Sequence, residues 1–238
     1  MALPRLNETP QYELTIPSSG EKLNYRPFLV KEQKILLMAA EAQDTKQVIR
    51  SILNCIEGCA AGINVKKLST FDVDYIFTQI RSKSVGETST MLANCTKCEH
   101  KTEIKIQLND IKVDTSQVPN NILKLNDEIS LKMKYPTYID MMENNVIMNE
   151  KATTAETLFA AITSCLESVM TEDENIQLKD ESQEEVEAFV NSLSSKQFDM
   201  ISGFMNSIPR IKYEQVFNCE SCNEENKLEL QGIQDFFS

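Results

Sequence analysis

Two copies of one short motif, Asn94-Cys95-Thr96-Lys97-Cys98 and Asn218-Cys219-Glu220-Ser221-Cys222, constrain this chain more than any other feature of it. Cysteines separated by two residues can present both thiolates from one tight turn. Two such turns brought face to face complete the four-sulfur tetrahedron that Zn²⁺ takes in structural sites. The motifs stand far apart, with 120 residues between Cys98 and Cys219, so a fold that uses them together must return the chain to its own starting place.

The surroundings of the motifs repeat as well. Ile104 and Ile106 lie 6 and 8 residues beyond Cys98, and Leu228 and Leu230 lie 6 and 8 beyond Cys222. Strand-like residues on both sides of a CxxC, with period-two alternation beyond it, predict a hairpin with the cysteines at its tip. Upstream, the strand-like Leu23–Arg26 and Leu131–Tyr135 lead to Pro27 and Pro136, and Cys55 and Cys165 follow 28 and 29 residues later. Val48, Ile49, Ile52, Leu53 and Ile56 share a face at helical spacing, as do Leu158, Phe159, Ile162, Cys165, Leu166 and Val169. Phe71-Asp72 and Phe198-Asp199 then open a further helix in each half. Helix starts are marked by Ser69 with Asp72, Thr153 with Glu156 and Ser194 with Gln197.

These landmarks predict an α+β, helix-rich fold of two pseudo-repeated halves, residues 1–113 and 122–238, each ending in a CxxC β-hairpin resembling a zinc knuckle. A polar linker at 114–122 joins the halves, which are expected to pack as one unit. The second half is longer between Met170 and Ser195. The acidic loop Thr171–Asn175 leads there to a helix near 182–193, capped by Ser182 with Glu185 and carrying Val186, Phe189, Val190 and Leu193.

Cys95, Cys98, Cys219 and Cys222 are the candidate metal ligands, and a shared structural Zn²⁺ is the leading reading. Iron–sulfur ligation, a reversible disulfide and four unliganded thiols stand behind it. A dithiol redox protein usually carries its CxxC at a helix N-terminus, where the dipole lowers a thiol pKa, and these motifs interrupt β-like alternation instead. His100 reads as an exposed loop residue, because Glu224 stands at the matching place. Cys55 and Cys165 read as core thiols, and methionines such as Met141, Met142, Met148 and Met205 as core filling. The acidic run around Glu172-Asp173-Glu174 lacks the spacing and glycine of a calcium loop and reads as solvated surface.

Composition closes other routes. Twenty-four Lys and Arg against 36 Asp and Glu leave a net charge of -12, which opposes phosphate neutralisation. A zinc-ribbon nucleic-acid protein would also want basic residues about its knuckles, whereas Glu214, Glu220, Glu224 and Glu225 flank the second. The longest apolar run, Ile35–Ala40, falls far short of the roughly 20 residues that span a bilayer, so no membrane insertion is expected. The N-terminal residues show no apolar signal core, and an odd count of 7 cysteines fits a reducing compartment better than a disulfide framework. With 1 histidine and no phosphate loop or nucleophile elbow, no catalytic constellation is found and no enzyme is expected.

Finally, Ile16-Pro17-Ser18-Ser19-Gly20, Tyr25-Arg26-Pro27-Phe28-Leu29-Val30-Lys31-Glu32-Gln33-Lys34-Ile35-Leu36 and the stretch Phe71–Gly86 resemble the baseplate hub proteins and hub-assembly factors of T-even-like contractile-tailed phages, especially those of marine cyanophages. Tyr135-Pro136-Thr137-Tyr138 extends the likeness more loosely. The resemblance implies a role in building or forming the tail baseplate hub, with other hub proteins as partners and without chemical turnover. Its implied location is the host cytoplasm during assembly, with the virion tail baseplate as the destination if the protein is retained.

Overall fold

In this computed structural model the described residues are 9–42, 44–115, 120–144, 146, 147, 149 and 151–232. The central part of the 114–122 linker, the N-terminal residues and Met148 lie outside them. The chain divides into two compact units, Met1–Asp114 with Arg210–Ser238, and Thr115–Pro209. This grouping cuts across the two halves read in the sequence, because residues 210–232 pack with the first unit and carry the second CxxC with them.

The first unit begins with a hairpin of β1 (Tyr12–Thr15) and β2 (Lys22–Tyr25). Its turn closes through Gly20, whose φ of 73° a side chain would resist and whose N–H donates to the Ile16 carbonyl at 2.9 Å. Three helices follow, α1 (Val30–Glu41), α2 (Thr45–Cys59) and α3 (Thr70–Val85). Asp44 caps α2, accepting from the Lys46 and Gln47 N–H groups, and the Ile49, Ile52, Leu53 and Ile56 face is buried. Ser69 and Asp72 form the reciprocal box expected at the start of α3. The buried Asp72 carboxylate also accepts from the Ser18 N–H at 2.9 Å, which pins the β1–β2 turn to the helix start. Arg26, just past β2, donates to Glu32 of α1 at 2.8 Å and to the Gly58 carbonyl of α2 at 2.6 Å.

From α3 the chain enters β3 (Thr88–Asn94) and β4 (Lys101–Gln107), an antiparallel hairpin, and then the short β5 (Lys112–Val113). The second unit carries a four-stranded sheet in the order β6–β7–β8–β9, formed by Ile122–Lys124, Ser130–Met133, Leu166–Met170 and Asn175–Gln177. Its helices are α4 (Tyr138–Glu143), α5 (Thr154–Cys165), α6 (Gln183–Asn191) and α7 (Ser195–Asn206). Leu131, Met133, Ile162, Val169, Val190, Ile201 and Phe204 belong to a core between this sheet and its helices. The chain then rejoins the first unit as β10 (Ile211–Asn218), which pairs with β5 on one side and with β11 (Glu225–Gln231) on the other.

The expected boxes at Thr153–Glu156, Ser182–Glu185 and Ser194–Gln197 all cap helices. One helix is shorter than its periodicity predicts. α5 stops at Cys165, and Leu166 and Val169 belong to β8, which pairs with β7 and β9. Two rows of ladder hydrogen bonds and burial of Leu166 and Val169 outweigh continuation of the helix, and Leu158 and Phe159 are left exposed. The acidic Thr171–Glu174 segment becomes the tip of the β8–β9 hairpin.

Candidate metal centre

Both CxxC motifs occupy hairpin tips, and the tips are built alike. Regular pairing ends at Asn94↔Lys101 in β3–β4 and at Asn218↔Glu225 in β10–β11. Beyond it the Cys95 N–H donates to the His100 carbonyl and the Glu99 N–H to the Cys95 carbonyl, at 2.9 and 3.0 Å. In the other tip Cys219 donates to Glu224 and Asn223 to Cys219, both at 2.9 Å. Glu99 and Asn223, each directly after the second cysteine of its motif, reverse the chain with φ of 59° and 56°. Asparagine tolerates that left-handed conformation better than glutamate does.

The hairpins meet through a small apolar core of Ala93, Ile104 and Phe217, with Ile106, Leu108, Ile111, Ile211 and Leu230 forming a second cluster. Polar crossings repeat the symmetry nearer the tips. The Thr96 N–H donates to Asn226 Oδ1 at 2.9 Å, and the Glu220 N–H donates to Thr102 Oγ1 at 3.4 Å. Lys97 and Glu224 add an exposed ion pair at 2.7 Å.

All four candidate sulfurs thereby lie within 4.8 Å of one another. Cys95 Sγ is 3.6 Å from Cys222 Sγ, and Cys98 Sγ is 3.6 Å from Cys219 Sγ. A disulfide would need about 2.05 Å, and all seven cysteines are free thiols. A tetrahedron with Zn–S bonds of about 2.3 Å has edges of about 3.8 Å, so the two 3.6 Å separations match an edge, and a pair at the 4.8 Å limit would close by about 1 Å to complete the four-sulfur set. Cys95 and Cys219 are buried, and Cys98 and Cys222 are exposed.

The electrostatics favour a cation. N–H groups of Cys98 and Lys97 aimed at the Cys95 sulfur hold its pKa down at about 6, and those of Cys222 and Ser221 lower that of Cys219. Although the Glu224 N–H pulls the other way, the sulfurs of Cys98, Cys95 and Cys219 push the Cys222 thiol up to about 12. Further ionisation is opposed by the charge already present, and a divalent metal would remove that opposition.

The other cysteines are placed differently. Cys165 is fully buried in the core of the second unit, and burial raises its thiol to about 11. Cys55 and Cys59 are buried along α2, with Arg26 Nη1 at 3.7 Å from Cys59 Sγ. His100 is exposed, and its carbonyl accepts the Cys95 amide. Among the described residues, no helix is long and apolar enough to cross a membrane. Apolar alternation did not point to Thr96, Thr102 and Asn226. The available signal was positional, since Thr102 and Asn226 each stand fourth after the second cysteine of their motif.

Taken together, the fold and the centre describe an α+β scaffold whose two distant hairpins are brought sulfur to sulfur, an arrangement suited to holding a structure together. The chain belongs to the T4 bacteriophage base plate protein family, whose model matches residues 9–238. The baseplate hub assembly protein gp26 of Enterobacteria phage T4 is 20% identical over 227 residues, covering 95% of this chain and 98% of that protein. The likeness to baseplate hub proteins seen at Ile16–Gly20, Tyr25–Leu36 and Phe71–Gly86 therefore extends through nearly the whole chain. No solved structure matches.

Proposed function

We propose that this protein is a non-enzymatic structural or assembly component of a phage tail baseplate hub, with Cys95, Cys98, Cys219 and Cys222 holding a structural Zn²⁺ that clasps its two CxxC hairpins. The end-to-end alignment with a hub assembly protein carries the role. The four convergent sulfurs support the metal. The ion would supply no chemistry beyond neutralising thiolates and fixing the tips, since four cysteines fill a tetrahedral shell and leave no position open to substrate.

On this reading the partners are other baseplate hub proteins, met in the host cytoplasm during assembly, and nucleic acid is not among them. The matched hydrogen bonds at the two tips support a pseudo-repeat of residues 1–113 and 122–238, with the helix near 182–193 inserted into the second copy. The dithiol redox alternative is disfavoured because the CxxC pairs stand at hairpin tips and not at helix N-termini.

Disrupting the gene in the phage tests the role. Infected cells should accumulate unassembled hub proteins and no complete baseplates, and supplying the protein from a plasmid should restore them. Normal baseplates without the protein would contradict the proposal.

A further inference from the structure

The two hairpin tips are alike in backbone, and the buried position held by Thr102 in one and Asn226 in the other sets them apart in hydrogen bonding. Asn226 is 5% exposed and uses both ends of its amide. Its Oδ1 accepts from the Thr96 N–H and from Thr96 Oγ1, at 2.9 and 2.8 Å. Its Nδ2 donates to the Glu224 carbonyl at 2.8 Å and to Cys95 Sγ at 3.6 Å. The amide orientation follows from this network, because the Thr96 N–H can only donate and must therefore face the oxygen. Thr102, at the equivalent place, accepts from the Glu220 N–H through one hydroxyl.

Resting on the zinc reading above, we infer that Asn226 is the positioning residue of the four-sulfur centre: from the second hairpin it aims the Cys95 sulfur of the first and offsets part of its charge. A tetrathiolate centre around Zn²⁺ carries a net charge of -2, so an N–H donor to a sulfur stabilises it, and partners of this kind commonly change metal affinity by about 10- to 100-fold. The bond joins residues 131 apart in sequence, so it also couples ligand geometry to the meeting of the hairpins.

Full-length wild type, Asn226→Asp and Thr102→Val are loaded with zinc, and metal transfer to a chromophoric chelator is timed. The same proteins loaded with Co²⁺ report sulfur geometry through their visible and charge-transfer absorption. Asn226→Asp keeps the acceptor for Thr96 and turns an oxygen toward the sulfur. It should release zinc at least about tenfold faster and shift the cobalt bands, with its far-ultraviolet circular dichroism unchanged. Thr102→Val removes a crossing of the hairpins that no sulfur bond accompanies, and should stay within about twofold of wild type with unshifted bands. Equal behaviour of the two variants, or wild-type release by Asn226→Asp, would overturn the inference while leaving the zinc reading intact. A wild-type protein that takes up no zinc would overturn both. If Asn226→Asp fails to fold, Asn226→Gln, which keeps both amide ends on a longer arm, takes its place with the same expected direction.

Discussion

Thr102 and Asn226 hold equivalent positions in two hairpins that share no backbone pairing, and each accepts the N–H of the residue that follows the first cysteine of the other motif. Both are buried, at 3% and 5% exposure, in the layer beneath the four sulfurs. The exchange makes each tip part of the other's support. The exchange is unequal, since Thr102 accepts once at 3.4 Å whereas Asn226 accepts twice, at 2.9 and 2.8 Å, and also reaches Cys95 Sγ.

Cys95→Ser should release the metal and loosen the junction of the hairpins, since metal binding energy is coupled to folding. We expect zinc content to fall well below one per chain and unfolding stability to drop by about 3 kcal/mol or more. Elemental analysis and urea denaturation of the same preparations check this. A variant with full zinc and wild-type stability would contradict it.

Phe217 packs with Ala93 and Ile104 where the hairpins meet. Phe217→Ala should cost about 3 kcal/mol through lost burial and the cavity left behind, and should also weaken metal retention although no sulfur is touched. Denaturant midpoints and chelator competition read the two effects separately.

Glu32 is buried against Arg26 and also accepts from the Leu29 N–H. Burial raises its pKa, but the Arg26 and Leu29 hydrogen bonds outweigh it and leave the carboxyl below its ordinary value. A lowered folded-state pKa gives stability that is fully present above the ordinary carboxylate value of about 4.3 and lost as pH falls through the folded one. Glu32→Gln should therefore be less stable than wild type at pH 7, by about 1–3 kcal/mol, with the gap narrowing in acid below about pH 4. Urea midpoints of both proteins across that range check the sign, and a gap that widens in acid would contradict it.

Glu99 adopts a left-handed conformation with φ of 59°. Glu99→Val should destabilise the tip by about 1–2 kcal/mol, because a β-branched side chain resists that conformation, whereas Glu99→Asn should be neutral or better. Thermal unfolding of the zinc-loaded variants separates the two outcomes.

Much of the centre was legible in the sequence because hairpins and caps are local. Strand-like residues on both sides of Cys95–Cys98 and Cys219–Cys222, with alternation resuming at Ile104 and Leu228, fix a tip, and Ser69, Thr153, Ser182 and Ser194 announce helices through their own partners three residues on. Val169 was misread as helical because Leu158–Val169 satisfies a 3.6-residue period, while the pull of the neighbouring strands is a tertiary effect with no local mark. The return of β10 to β5 was equally hidden, since β5 has two residues and its pairing partner lies about a hundred positions away. Asn226 escaped notice because its role depends on which sulfur faces it across the junction.

The central claim is that four cysteines from two hairpins share one structural metal. Elemental analysis and thiol titration of the purified protein, before and after chelation under denaturing conditions, test it most directly. The account predicts about one zinc per chain and four thiols unmasked when the metal is removed. Protein without metal, whose CxxC thiols cycle reversibly between dithiol and disulfide, would contradict it and return the redox reading to the front.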